Sequence, residues 1–459
     1  MLREKVQSLR FSSIFAFSFF TAWLISFAYQ GQILYSLFNS FQIDPKNLVL
    51  LAILFHAAGL FIGGFIVKTT KSAKTIMLVT AGLCAALSGV FFFTPSLLWT
   101  ISLIVVSLLS GAWNAAWGWF YRSCSSSNQR MRTVAASIAI GTTLMIGLNM
   151  TAIHLLPQAG LGLAVLCLAV SIFFIARLPQ RAFETYQQPA QKMHIRQPYM
   201  LLCLFIVVIT INSGLMFSMV NPAFAHLTTL TSWYWAVPYI VAILAVAWFP
   251  RKVNRSYILY ISIAMQGFGF IFFLILNRSV ASYLLVNTLL LGAFGINDLF
   301  WWSILGEMLD YHKNPAKLLG VGLFANVAGV LMGELISGLA AHATNGYMPT
   351  MLGLAVVCVA LVILPMLYKQ LAILLNNSAF LEGYTERSEQ KVAIDTVLHA
   401  AELTGRENQI VTLLLKGYTY RLIAQELHIS ESTVKTHIQN LYGKLGVRGR
   451  AELIQKLEK

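Results

Sequence analysis

The stretch that decides the fold is "LTGRENQIVTLLLKGYTYRLIAQELHISESTVKTHIQNLYGKLGVRGRAELI", residues 403–454. Thr404 followed three residues later by Glu407 is a capping box, opening a helix with Ile410, Val411 and Leu414 on one face. Gly417 ends that helix, and Thr419 caps a second that carries Leu422, Ile423, Ala424 and Leu427. Ser430 caps a third, with Glu431 placed to meet the positive end of its dipole. On the third helix Val434, Ile438, Leu441 and Leu445 fall at i, i+4, i+7 and i+11, a single apolar stripe. Lys435, Thr436, Gln439 and Gly443 take the opposite side. One reading is a small helical bundle with a solvated polar face. The other is a major-groove reader, because Lys, Thr and Gln can donate or accept at base edges while His437, Lys444, Arg448 and Arg450 flank them near phosphates.

The residues themselves resemble the LuxR/NarL-type helix-turn-helix domain of bacterial regulators: "LTGRE" at 403–407, "IA" at 423–424, "STVKTHI" at 432–438 and "KLGV" at 444–447. The likeness covers roughly residues 402–457. It implies a four-helix domain whose third helix enters the major groove of double-stranded DNA, usually as a homodimer. Carried over, Lys435, Thr436 and Gln439 face bases, with Thr433, His437 and Lys444 nearer the DNA backbone. Two positions depart from the family pattern: Leu422 stands where a Glu is frequent, and Gly443 replaces a better helix former.

Outward from this stretch the chain changes character. Hydrophobic residues make up 58% of the 459, and only 11% are charged. With a mean hydropathy of +0.71, this is the composition of a polytopic membrane protein. Apolar runs long enough to cross a bilayer fall near 11–34, 47–67, 75–93, 97–121, 133–154 and 158–177. Six more follow near 198–220, 231–249, 256–276, 280–304, 317–341 and 347–368. The first run continues past signal-peptide length with no small-x-small cleavage site, so it reads as a transmembrane helix.

The net charge of +15 reports topology more than nucleic acid. With the N-terminus inside, eighteen Lys and Arg before residue 368 fall in inner segments, and only Lys46 and Arg278 fall outside. The expectation is a multi-pass protein of the bacterial inner (cytoplasmic) membrane with both termini cytoplasmic, where a DNA-binding domain reaches the chromosome. Cysteines 84, 124, 167, 203 and 358 are scattered, without CxxC or paired spacing, so neither a disulfide framework nor a metal site follows.

The longest polar break, 178–197, divides six helices from six. A faint repeat at an offset of 181 sets "LLSGAWNAAWGWFYRS" (108–123) against "LLGAFGINDLFWWSI" (290–304) and aligns glycines 111 with 292 and 141 with 322. This layout resembles the major facilitator superfamily, whose halves are parallel repeats around a central cavity. The loop "GLFIGGFIVKTTKSAK" (59–74) keeps that family's glycines and basic cluster but lacks its acidic residue, which argues against full alternating-access transport.

The expected fold class is therefore all-α. A six-helix half spans 1–177, a cytoplasmic linker 178–197, a second half 198–368, a helical tether 369–401 and the helix-turn-helix 402–459. The 369–401 segment reads as a plain tether or a dimerising helix.

Ionisable groups within a bilayer usually face a cavity or a partner. Asp298 and Glu334 are the acids inside the expected spans; Asn114, Asn149, Asn212, Asn297 and Asn326 add neutral polarity, and His56 lies in the second helix. If the facilitator likeness holds, helices one, four, seven and ten line the cavity. The candidate ligand residues are then Gln30, Trp113, Asn114, Trp117, Asn212, Asn297, Asp298 and Trp301. Aromatic walls with amides and one acid suit a small, partly apolar or cationic ligand. The structural alternative is that the asparagines bond helix to helix and the tryptophans fill space. No phosphate-cradling loop, catalytic triad or metal constellation stands out, and no cofactor is implied. The chain reads as a non-enzyme: a membrane-bound one-component regulator sensing a small molecule, or, alternatively, a secondary transporter with a fused regulatory domain.

Overall fold

The computed structural model describes residues 2–29, 31–180, 195–248, 256–341, 348–375, 403–415, 420–447, 449 and 452–453. The chain divides into two compact units, Met1–Leu381 and Glu382–Lys459. No strand occurs among the described residues, and the fold is all-α. Gly417, Thr419, Arg448, Arg450, most of the linker 178–197 and most of the tether 369–401 lie outside the described residues.

The first unit contains twelve helices long and apolar enough to cross a membrane: α1 Gln7–Ser40, α2 Lys46–Ile66, α3 Thr70–Phe92, α4 Leu97–Ser123, α5 Ser127–His154 and α6 Pro157–Ala176. The second set is α7 Arg196–Ala223, α8 Thr228–Trp248, α9 Tyr257–Ile275, α10 Val280–Tyr311, α11 Pro315–Leu339 and α12 Thr350–Ala372. The packing repeats between halves. Within the first, α1 meets α5 and α6, α2 meets α4, and α3 meets α4 and α6; the second pairs α7 with α11 and α12, α8 with α10, and α9 with α10 and α12. The halves join where α2 packs on α11 and α5 on α8.

Lipid tails give little hydrophobic incentive for helices to associate, so close backbone approach over small residues does the work. A Cβ on Gly63 would lie 2.6 Å from the Ala112 Cα of α4, and one on Gly320 of α11 would lie 2.5 Å from the Leu60 carbonyl of α2. Two of the four helices expected to line the cavity are interrupted by a wider turn. A π-helical turn at Leu24–Ala28 widens α1, and another at Met216–Val220 widens α7. Such turns are frequent at functional sites because the extra residue re-aims the neighbouring side chains.

Helix α10 runs past residue 304 to Tyr311, which brings Glu307 and Asp310 into a candidate span beside Asp298. That extension is buried because it meets the other half at the end of the bundle that carries the chain's N-terminus, called here the terminal end.

In the second unit, α13 is Gly405–Leu415, α14 Tyr420–Glu426 and α15 Glu431–Leu445. Ile410, Val411, Leu414, Ile423, Ala424, Val434, Ile438, Leu441 and Leu445 form one buried core with Val447 and Leu453. Truncating a core residue such as Leu441 to Ala costs about 2–5 kcal/mol. Of the expected fourth helix, Glu452 and Leu453 are helical among the described residues.

Candidate functional site

The reading helix is fixed at both ends. The Ser430 hydroxyl accepts the Thr433 N–H at 3.0 Å, satisfying one of the free donors of the first turn of α15. At the other end Gly446 adopts φ 61°, a left-handed position glycine takes at little cost, and the Val447 N–H closes on the Tyr442 carbonyl at 2.9 Å. Between these caps the four-residue stripe of α15 is buried, while Thr433, Lys435, Thr436 and Gln439 are exposed and His437 is half-buried. Lys435 leans on Glu431 at 3.5 Å, a solvated pair that a DNA base can displace at little cost.

Lys444 is placed differently from the other five expected DNA-facing residues. Its ammonium donates to Glu407 Oε2 at 2.8 Å, joining α15 to the start of α13. The same carboxylate accepts the Thr404 N–H at 2.7 Å and the Thr404 hydroxyl at 2.9 Å, completing the capping box read from the sequence. Burial pushes the Glu407 carboxyl up, but the bonds from Lys444 and Thr404, with the Lys444 charge, outweigh it and hold the group below the usual carboxylate range.

The first unit encloses a cavity of about 1740 Å³. Its lining reaches Asp44, Lys46 at the start of α2, Leu155 and Ala225 at the end opposite the termini, and stops at Phe17, Ile138 and Trp302. Of the eight expected ligand residues, Asn114, Asp298 and Trp301 line it. Asp298 Oδ2 accepts from the Tyr239 hydroxyl at 2.7 Å and Oδ1 from the Trp301 indole N–H at 3.1 Å. Gln30 lies outside the described residues.

The other four, Trp113, Trp117, Asn212 and Asn297, are not among the residues lining this cavity. Trp113 stacks on Phe20 at 3.8 Å, and Trp117 donates to the Ser13 hydroxyl at 3.1 Å. Asn212 donates to Gln266 at 2.9 Å, and Asn297 accepts from Ser262. These are helix-to-helix contacts, the alternative that the sequence left open. An α-helix turns 100° per residue, and here that turn carries Asp298 to the cavity and Asn297 to Ser262 of α9.

The cavity also gathers Tyr29, Tyr239 and Trp302, which the sequence did not single out for it, along with His56, Asn149, Asn326 and Glu334. Their signal was weak because tyrosines and tryptophans are common in any membrane helix. His56 is held by the Ser110 hydroxyl at 2.8 Å, with its ring 5.1 Å from that of Tyr29.

Beneath the floor, the halves are tied at the terminal end. Arg130 of α5 makes a two-pronged ion pair with Asp310 of α10, at 2.7 and 2.6 Å, and donates to the Gly306 carbonyl at 2.8 Å. Arg122 of α4 donates to the His312 carbonyl at 3.1 Å, and Asn314 to the Gly64 carbonyl at 3.2 Å. Tyr121 reaches the Trp302 carbonyl at 3.4 Å, so two residues exactly one repeat length of 181 apart meet across the junction. In the loop lacking the facilitator acid, Thr69 and Ser72 cap α3 reciprocally.

Comparison with known proteins agrees with both halves of this description. The family of bacterial regulatory proteins of the luxR type matches residues 401–457. The HTH-type transcriptional regulator MalT of Klebsiella pneumoniae (strain 342) is 41% identical over 76 residues, covering 17% of this chain and 8% of that protein. The chain thus spans only a small part of the length of such curated relatives. Among solved structures, a bacterial homologue of the iron transporter ferroportin in an outward-facing state aligns with a TM-score of 0.57 at 14% identity, covering 80% of this chain and 99% of that one. The proton:xylose symporter XylE aligns with a TM-score of 0.59 at 11% identity, covering 80% and 96%. The human organic anion transporter MFSD10 gives 0.59 at 13%, covering 80% and 99%. The C-terminal part is a LuxR-type helix-turn-helix domain. The membrane unit has the major facilitator fold.

Proposed function

We propose that this chain is a membrane-bound one-component transcriptional regulator that senses a small molecule in the cavity of its facilitator-like unit and binds DNA through its helix-turn-helix as a homodimer. The observation that carries this reading is α15: its apolar stripe is sealed into a core while Thr433, Lys435, Thr436 and Gln439 stand outward on a domain of a DNA-binding family. Lys435, Thr436 and Gln439 read base edges; Thr433, His437 and Lys444 approach phosphates. The charge asymmetry of the loops supports a topology with both termini in the bacterial cytoplasm.

Sensing requires two states that the ligand binds unequally, and the shift can be no larger than that difference in affinity. The bistable element is the tie at the terminal end: Arg130–Asp310 holds it closed while the cavity reaches the opposite loops. The same arrangement favours a second reading, a secondary transporter with a fused regulatory domain.

Genome-wide crosslinking of the full chain to DNA, with and without candidate ligands, tests the first reading. The expected result is a small set of sites whose occupancy changes with one ligand. No sequence-selective site under any condition would sink it. Counterflow of that ligand in proteoliposomes separates the two: a regulator that only senses gives none.

A further inference from the structure

We propose that the cavity takes a protonated amine carrying an apolar body, with Asp298 as its counter-ion; this rests on the reading of the cavity as the ligand site. The charges on its wall are unevenly placed. Lys46 is the only Lys or Arg among the described lining residues, and it sits at the mouth, its backbone N–H on Asp44 at 3.0 Å. Deeper in, the wall carries the acids Asp298 and Glu334, and Tyr29 lies within electrostatic reach of both.

Asp298 is oriented but not neutralised by its partners. Tyr239 and Trp301 donate one hydrogen bond to each oxygen, and neither brings a positive charge. An ionised carboxylate away from bulk water is stabilised by a bound cation far more than by neutral donors alone. An anionic ligand in the same place would meet two carboxylates.

Two amide oxygens beside the wall are covered rather than turned to the open space. The amide oxygens of Asn114 and Asn149, both on the lining and both buried, have no hydrogen-bond partner among the described residues. A carboxylate held only by neutral donors fits a ligand head with several N–H donors, which an ammonium group supplies. Tyr29, Tyr239 and Trp301 add ring faces of the kind that attract cations and cover an apolar body. The cavity is larger than the 300–1,000 Å³ or so typical of small-molecule sites, so the amine is held where Asp298, Tyr239 and Trp301 converge rather than filling the space.

The test uses the full chain in lipid nanodiscs and three probes that share a body and differ in the head: 4-phenylbutylamine, 4-phenylbutan-1-ol and 4-phenylbutanoate. The expected result is that the amine binds at least about tenfold more tightly than the alcohol, with the carboxylate weakest. Asp298→Asn, whose one amide oxygen can accept from Trp301 while its NH2 donates to the Tyr239 hydroxyl oxygen, should bring the amine down to the alcohol while leaving the alcohol unchanged. Asp298→Glu should restore the preference. The proposal is overturned if the alcohol binds as well as the amine, if the carboxylate binds best, if no amine binding is seen at millimolar concentration, or if Asp298→Asn keeps the preference. Should Asp298→Asn fail to give monodisperse protein, the wild-type panel and Asp298→Glu still decide. DNA crosslinking with the same probes keeps the two readings apart. Amine binding without a change in occupancy sinks the sensor and keeps the amine site; a change driven by the alcohol or carboxylate does the reverse.

Discussion

Each of the two units carries a long-range ion pair, and the two pairs are built in opposite senses. In the membrane unit the cation is the buried partner: the Arg130 side chain is 0% exposed and Asp310 24%. In the helix-turn-helix the carboxylate is buried, Glu407 at 4% against 37% for Lys444. A guanidinium cannot shed its charge in a protein, whereas a carboxylate can take up a proton. Removing Asp310 therefore strands a charge that has no escape, while acid alone can relieve Glu407. The first pair is a strong tie broken by losing contact; the second is a moderate one broken by pH.

The largest effect should follow from breaking the first pair. Asp310→Asn leaves Arg130 buried without its counter-ion, a change that costs about 3–5 kcal/mol in buried pairs elsewhere. The expected outcome is an opened terminal end. Cys124, 2% exposed at the end of α4, should then react faster with a maleimide than it does in the wild type. If both the melting temperature and Cys124 labelling stay at wild-type values, the pair is not the tie described here.

These pairs also mark what the sequence could and could not reveal. Span count and the reader were legible because each rests on local pattern: runs of about twenty apolar residues, and a stripe at helical spacing. The Thr404–Glu407 capping box was legible for the same reason, since its partners are three residues apart. Arg130 was counted only as one more inner-side charge, because its partner lies 180 residues away and on another helix. The Lys444–Glu407 contact was not legible, because its partners are 37 residues apart. The cavity was half legible. Knowing which helices face it does not say which residues of a helix do, and that is why Asp298 faces the cavity while its neighbour Asn297 binds Ser262.

A middle-sized effect is expected on the DNA side. Lys435→Ala or Gln439→Ala should lose discrimination worth about 1–3 kcal/mol at one base position and little affinity for unrelated sequence. Lys444→Ala should instead weaken every sequence and flatten the slope of log K against log salt by about one unit. Selection from a random pool by a tethered dimer of residues 382–459, followed by a salt titration, measures both. A uniform loss from all three substitutions would erase the distinction between base-facing and phosphate-facing residues on α15.

The smallest effect concerns Glu407, and its sign follows from the direction of the shift. The group sits below the ordinary value of 4.5 because Lys444 and Thr404 stabilise its charged form more than burial opposes it. A depressed carboxyl contributes stability above the unfolded-state value, and that contribution fades as pH falls through the folded-state value. Fragment 382–459, which has its own buried core, should thus be most helped by Glu407 near neutral pH and lose that help in the acid range below about pH 4.5. The size is about 1–2 kcal/mol, at the level of a capping box plus a charged hydrogen bond, because the half-exposed Lys444 is screened by water. Glu407→Gln should be destabilised near neutral pH and should converge with wild type in acid. Lys444→Met should lose a similar amount, and the double variant less than the sum, since both changes remove one shared contact. Chemical denaturation of the four proteins from pH 3 to 8 separates this from a plain cap. If Glu407→Gln runs parallel to wild type across the whole range, the carboxylate is acting through its shape and not its charge.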